Sequence, residues 1–142
     1  MRFFVVAAGR LKDKNLRGLC DDYLARVRHY ARCDEIEVKD ERGLSKALPP
    51  DSLVIALEVD GEKLSSSELA ARIERWSSRG KGSVTFVIGA AEGIPEDVSR
   101  GAGARLSLSP LTLPHRLARV VLLEQLYRAL TILRGEPYAR ES

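Results

Sequence analysis

The residues best placed to do chemistry lie near the C-terminal end, from Leu106 to Arg116, reading Leu-Ser-Leu-Ser-Pro-Leu-Thr-Leu-Pro-His-Arg. The pattern predicts a strand that ends, a short loop, and a helix with His115 in its first turn. The loop offers hydroxyls and backbone amides, with no cysteine and no acidic cluster. A helix N-terminus presents unpaired N–H groups that can hold a small polar ligand. His115 would stand beside that ligand as a group that titrates near neutral pH. The segment from Val87 to Gly93 ends the preceding strand in the same manner, and Leu57 to Gly61 ends the one before that. In open α/β sheets ligands bind beyond the carboxyl ends of the strands. Singly, Gly89 and Gly93 read as turn glycines, Asp60-Gly61 as a turn, and His115 as a surface residue. Their convergence at one edge of one sheet is what marks a site.

Several chemistries are disfavoured. The first strand ends in Ala8-Gly9-Arg10, one glycine where a dinucleotide fold uses three, and no Walker lysine loop exists. This argues against nicotinamide, P-loop and Rossmann-type methyltransferase proteins. Glu58 and Asp60 have no histidine near them, so no metal is expected. Cys20 and Cys33 lack metal or redox spacing and read as reduced thiols of an intracellular, cytoplasmic protein.

The elements that must position these residues alternate along the chain, which predicts an α/β fold. Strands are expected at Arg2–Ala8, Glu35–Val38, Ser52–Leu57, Ser83–Ile88 and Arg105–Leu108. A helix is expected over Asn15–Tyr30, and a turn or two of helix over Arg42–Leu48. Asp60-Gly61 is expected to turn the chain. Ser65 and Glu68 form a capping box for a helix buried through Leu69, Ile73 and Trp76. Pro95 opens a short helix, and Thr112 is the expected N-cap of a helix to about Leu133.

That last helix is apolar on a broad arc (Val120, Leu122, Leu123, Leu126, Tyr127, Leu130, Leu133) and again opposite it (Leu117, Val121, Ile132). Such a helix is buried on both sides. One side faces the sheet and the other meets a partner subunit or the chain's own tail; a homodimer is the expectation. Arg119 falls within the apolar arc. It either pairs with an acid such as Glu124 across an interface or reaches a ligand.

The 142 residues suit one domain, residues 1–142, with an ordinary balance of 44% hydrophobic and 30% charged residues. No apolar run approaches the roughly 18 residues of a membrane span, and the apolar start Met1–Ala8 reads as a buried strand. The net charge of +3 is scattered; it permits a nucleic-acid partner without demanding one.

Together, the Val87–Gly93 segment, Leu108 to His115, Arg119-Val120 with Glu124, Leu126 to Ala129, and the tail Pro137-Tyr138 resemble the RlmH family, small methyltransferases of the SPOUT superfamily. The likeness runs over essentially the whole chain. It implies a SPOUT-type α/β knot: a mainly parallel five- or six-stranded sheet, helices on both faces, and a C-terminal trefoil knot. It implies S-adenosylmethionine as cofactor, with contacts at Leu57, Gly89, Leu108, Ser109, Pro110, Leu111, Thr112 and Leu113. It implies a homodimer that methylates N3 of a pseudouridine in a 23S rRNA stem-loop, helix 69, on the assembled ribosome. Ala90 stands where many relatives have a second glycine, and Ala139 where many have a histidine. Tyr138 and Arg140 of the tail remain. In this picture Arg140 of a partner, or Arg119, stabilises the anion of the target base, and His115 orients the base or takes its proton, with Tyr138 beside them. A SPOUT enzyme acting on tRNA, or an inactive ribosome-binding factor, is the alternative. With no appended RNA-binding module, poor activity on naked RNA is expected.

Overall fold

The computed structural model describes residues 1–141, with side chains through residue 140. In chain order the elements are β1 (Arg2–Ala8), α1 (Lys14–Val27), β2 (Arg32–Val38), a 3-10 turn (Glu41–Gly43) running into α2 (Leu44–Ala47), β3 (Leu53–Lys63), α3 (Ser66–Arg79), β4 (Ser83–Ile88), α4 (Glu96–Gly101), β5 (Ala104–Ser107), α5 (His115–Leu133) and a 3-10 tail (Pro137–Glu141). The five strands form one sheet in the order β2-β1-β4-β3-β5. Every pairing is parallel, as the expected α/β class requires.

Successive side chains of a strand point to opposite faces, and β1 is buried on both. Phe3, Val5 and Ala7 pack beneath α1, α3 and α5 with Leu24, Ile73, Trp76 and Leu126. Val6 and Ala8 pack on the other face with Leu44 of α2 and Val98 of α4. Helices therefore cover both faces. Among the described residues no helix is long and apolar enough to cross a membrane.

The capping box forms as expected. Ser65 Oγ accepts from Glu68 N at 3.1 Å and Glu68 Oε1 accepts from Ser65 N at 2.8 Å. Three other expectations need correction. Asp60-Gly61 is not a turn, because β3 continues through it. The pairing of β3 with β5 slips between Leu57 and Glu62, so residues 58–61 bulge and the ladder then resumes. Gly61 permits this because its backbone lies against Leu106, where an added Cβ would stand 2.8 Å from backbone atoms. Thr112 does not cap α5. The helix starts at His115 with Pro114 in the N-cap position and no side-chain cap, since a proline disfavours helical backbone at the residue before it. Pro95 is the N-cap of α4 rather than its first residue, because its ψ of 145° is extended, not helical.

The second apolar flank of α5 is covered within the chain only in part, at Ile132 and not at Leu117. The helix packs beside both α1 and α3, and Ile132, Val120 and Tyr127 join the same core. What stays open is its first turn, where Leu117 is 43% exposed.

Candidate functional site

Beyond the carboxyl ends of β3, β4 and β5 lies a cavity of about 590 Å³, within the range of cofactor sites. One wall is the β3 bulge with Leu57, Glu58, Val59 and Asp60. A second is the loop after β4, from Ile88 to Ile94. The third is the loop after β5, running through Ser107, Leu108, Ser109, Leu111, Thr112 and Leu113 to His115 and Ala118 at the start of α5.

Each wall has a local reason for its shape. Gly89 closes against Gly93: a Cβ there would meet the Gly93 carbonyl carbon at 2.5 Å. Gly93 N donates to Ala90 O at 2.9 Å, and Gly93 takes φ 80°, backbone that favours glycine. In the third wall Ser109 Oγ accepts from Leu111 N at 2.9 Å, while Ser107 Oγ donates to Ser109 O at 3.0 Å. These bonds close the turn with local hydroxyls. The first-turn amides of α5 receive no side-chain cap, so they are available to a ligand's oxygen or to water.

Sequence reasoning missed the electrostatics of the first wall. Arg105 of β5 donates from Nε to Glu58 Oε2 and from Nη2 to Asp60 Oδ1, both at 2.5 Å, and Ser99 Oγ donates to the same Glu58 oxygen at 2.8 Å. The guanidinium holds the Asp60 carboxyl below its usual range. A charged group inside the cavity thus meets carboxylates that share one guanidinium, and among the described residues His115 is the one basic side chain of the lining. The signal was the alternation of Glu58 and Asp60 after a buried strand, which only their pairing with Arg105 makes legible. Among the described residues no group of three or more His, Cys, Asp or Glu is placed to hold a metal ion.

Of the expected cofactor contacts, Leu57, Gly89, Leu108, Ser109, Leu111, Thr112 and Leu113 line this cavity and Pro110 does not. His115 lines it; Arg119, Tyr138 and Arg140 do not. Arg119 is 2% exposed and engages neither Glu124 nor the cavity. Its Nη1 donates to Glu37 and, at 3.1 Å, to Glu35; its Nη2 donates to Gly9 O at 3.0 Å. Arg17 reaches Glu35 at 2.5 Å, and Glu37 also accepts from Leu11 N at 3.0 Å. Burial works against the Glu37 charge, but the Leu11 amide and the Arg119 guanidinium outweigh it and lower the carboxyl's pKa. This network ties α5 to β2 and to the loop after β1.

Glu124 instead pairs with Arg128 at 2.7 Å and accepts from Tyr138 Oη at 2.9 Å. The Tyr138 ring meets Tyr127 at 4.6 Å with Arg128 over its face. Burial and then the Glu124 bond raise the phenol's pKa. Within one chain the tail therefore lies on the far half of α5, and Arg140 is exposed. Nine residues separate His115 from Glu124, roughly 14 Å along a helix.

Residues 1–139 match the family described as "Predicted SPOUT methyltransferase". The chain belongs to the SPOUT methyltransferase family. Among curated relatives of this SPOUT chain, the ribosomal RNA large subunit methyltransferase H of Sorangium cellulosum is 58% identical, covering 98% of this chain and 99% of the relative. Its namesake from Acetivibrio thermocellus is 38% identical over 99% of this chain and 100% of its own. The Listeria monocytogenes serovar 1/2a protein of that name is 41% identical over 97% and 99%. The resemblance to RlmH read from the sequence is thereby borne out. A probable methyltransferase from Bordetella pertussis shares the fold of this SPOUT domain, with a TM-score of 0.58 at 14% identity, covering 91% of this chain and 96% of that one.

Proposed function

We propose that this chain uses S-adenosylmethionine to methylate N3 of a pseudouridine in helix 69 of 23S rRNA, on the assembled ribosome, as a homodimer and as one cytoplasmic domain spanning residues 1–142. The observation that carries the reading is the cavity at the ends of β3, β4 and β5, built by the segments the RlmH likeness assigns to the cofactor. The residues fit that cofactor. Leu57, Ile88, Leu108 and Leu113 offer apolar walls for a nucleoside. Glu58 and Asp60, which share Arg105, leave one net negative charge at the wall for a cationic ligand, and among the described residues no lysine or arginine of the lining would suit a phosphate. When bound, S-adenosylmethionine supplies an activated methyl group on a sulfonium.

The protein's own task is to align the base and to make its imide nitrogen nucleophilic. Leu57, Gly89 and the loop from Leu108 to Leu113 hold the cofactor. His115, at the cavity wall, orients the target base or accepts the N3 proton. A cation beside the base carbonyl would stabilise the developing anion. Arg119 is held away from that position by Glu37, Glu35 and Gly9, so Arg140 of a partner's tail, with Tyr138, takes the role. The mouth supports a partner there: Val59 and Leu111, 59% and 75% exposed, stand on the rim, and Leu117 lies one residue from Ala118. Threading of the C-terminal segment as a trefoil knot accompanies this reading.

The test is incubation of the purified protein with ribosomes and labelled S-adenosylmethionine, followed by mass spectrometry of the 23S rRNA. A methyl group on N3 of the helix 69 pseudouridine is the expected result. Label in tRNA alone assigns the chain to the other substrate class. Cofactor binding with no methylated product makes it an inactive ribosome-binding factor.

A further inference from the structure

At the end of the sheet opposite the cavity, the start of β1, the end of α1 and the start of β2 enclose a shallow cleft of about 510 Å³ lined by Arg2, Arg28, Arg32 and Asp34, among others. The cleft and the cavity are separated by the length of a strand, about 20 Å for seven residues. Arg2 and Asp34 form an ion pair at 3.2 Å and offset one another. Arg28 is anchored differently: its Nε donates to the Cys33 carbonyl at 2.8 Å. That bond fixes the guanidinium plane and leaves the two terminal nitrogens for another acceptor. Such a pre-set fork suits phosphate oxygens. Arg32 is exposed beside it, with no carboxylate partner among the described residues.

The surroundings extend the positive field. Arg2 N donates to Gly82 O at 2.7 Å, which brings exposed Lys81 to the same end. Arg134 lies over the Tyr30 ring at 5.2 Å. The acids nearby are Asp34, paired with Arg2, and Glu136, which accepts from Tyr30 Oη; Asp51 stands two strands away. At the cavity end Glu58 and Asp60 of the wall are both paired with Arg105. Two carboxylates against one guanidinium leave that wall with no surplus positive charge for an RNA backbone.

We propose that the cleft of Arg2, Arg28 and Arg32 is a second contact site for RNA phosphates, remote from the reaction site, that holds the ribosomal substrate while the cavity acts on its base. This rests on the rRNA reading given above. Each phosphate neutralised by an arginine releases counterions, so binding weakens linearly in log salt, by about 0.9 per contact for a duplex.

The experiment uses the full chain with Arg28→Glu and Arg32→Glu combined, beside an Arg28→Lys and Arg32→Lys control. Ribosome binding by co-sedimentation is measured across salt concentrations, with methylation kinetics alongside. The expected charge-reversal result is a rise of about tenfold or more in the apparent Kd and in KM for ribosomes. The salt slope should be shallower by about one to two. Turnover at saturating ribosomes, S-adenosylmethionine affinity and thermal melting should be unchanged, and the lysine control should bind nearly normally. Equal binding and equal slope in wild type and charge reversal overturn the proposal. A loss equally large at low and high salt overturns it too, because it assigns the cleft to a protein contact. If the wild type binds ribosomes without methylating them, the methyltransferase reading falls, and the sedimentation comparison still decides the cleft.

Discussion

Arg119 of α5 and Glu37 of β2 form an ion pair across 82 positions of sequence, and Arg119 stands one helical turn beyond His115. The arginine is among the largest fully buried side chains of the protein. Its Nε is a buried nitrogen without a hydrogen-bond partner among the described residues. Burial of a cation is tolerable only where opposite charge accompanies it. Arg119→Met would leave Glu35 and Glu37 facing each other with Arg17 as their remaining cation. A loss of about 3–5 kcal/mol is expected, read from urea unfolding at neutral pH. A conservative Arg119→Lys should recover part of it, since lysine restores the charge but not the fork that spans Glu37 and the Gly9 carbonyl.

The same pair sets a pH dependence. The folded-state pKa of Glu37 lies below its unfolded value. Its contribution to stability is therefore fully present above the unfolded glutamate pKa of about 4.3 and is lost as pH falls through the lower folded value. Melting temperature recorded from pH 7 to pH 3 should fall more steeply for the wild type than for Glu37→Gln. Parallel curves would remove Glu37 from the acid transition.

His115 borders the cavity, and Arg140 lies outside its own chain's cavity. His115→Ala should lower kcat by about 100-fold or more if the ring handles the proton, with S-adenosylmethionine affinity preserved. Arg140→Ala should lower kcat likewise. Mixing inactive His115→Ala and Arg140→Ala chains should restore activity only if the tail serves the partner's cavity. Single-turnover methylation of ribosomes measures all three.

Gly89→Ala puts a methyl group where the Gly93 backbone stands 2.5 Å away. The loop after β4 must open to admit it. A fall of at least about tenfold in cofactor affinity by calorimetry is expected, with a stability cost of about 1–3 kcal/mol, typical of overpacking. Ala90 already carries a methyl group in this loop, so Ala90→Gly should leave affinity nearly unchanged.

Cys20 and Cys33 are buried at 0% and 2% exposure. Burial pushes their thiols up to about 11 and about 12 respectively, and the thiolate is the reactive form. Neither should react with a disulfide reagent at pH 8 in the native protein, and both should react in denaturant. Rapid labelling of the native protein would contradict the packing of α1 against the sheet.

Legibility followed the range of the cause. The Ser65–Glu68 box, the alternation of elements and the three converging loops rest on neighbours in sequence, and all were readable. The strand through Asp60-Gly61 was not, because Gly61 is needed for its approach to Leu106, 45 positions away. The partners of Arg119 were likewise unreadable: a lone arginine in an apolar arc announces that it has partners, but not that they lie on β2. The broad apolar arc of α5 is covered by α1 and α3, while on the opposite flank Leu117 stays exposed and Val121 half-buried. Family likeness carries what spacing could not, namely the proposal of a cofactor and an RNA substrate.

Helix α5 carries His115 at the cavity, Arg119 at the β2 clamp and Glu124 under the tail, all on one rigid rod. Inserting a single residue between any two of these would turn one group by about 100° relative to the next. No local adjustment could restore both ends. Sequence drift along the helix is thus open wherever side-chain volume is kept, while its length from His115 to Glu124 is frozen. A residue inserted in the stretch between β2 and β3, which carries none of these groups, would leave their spacing along α5 unchanged.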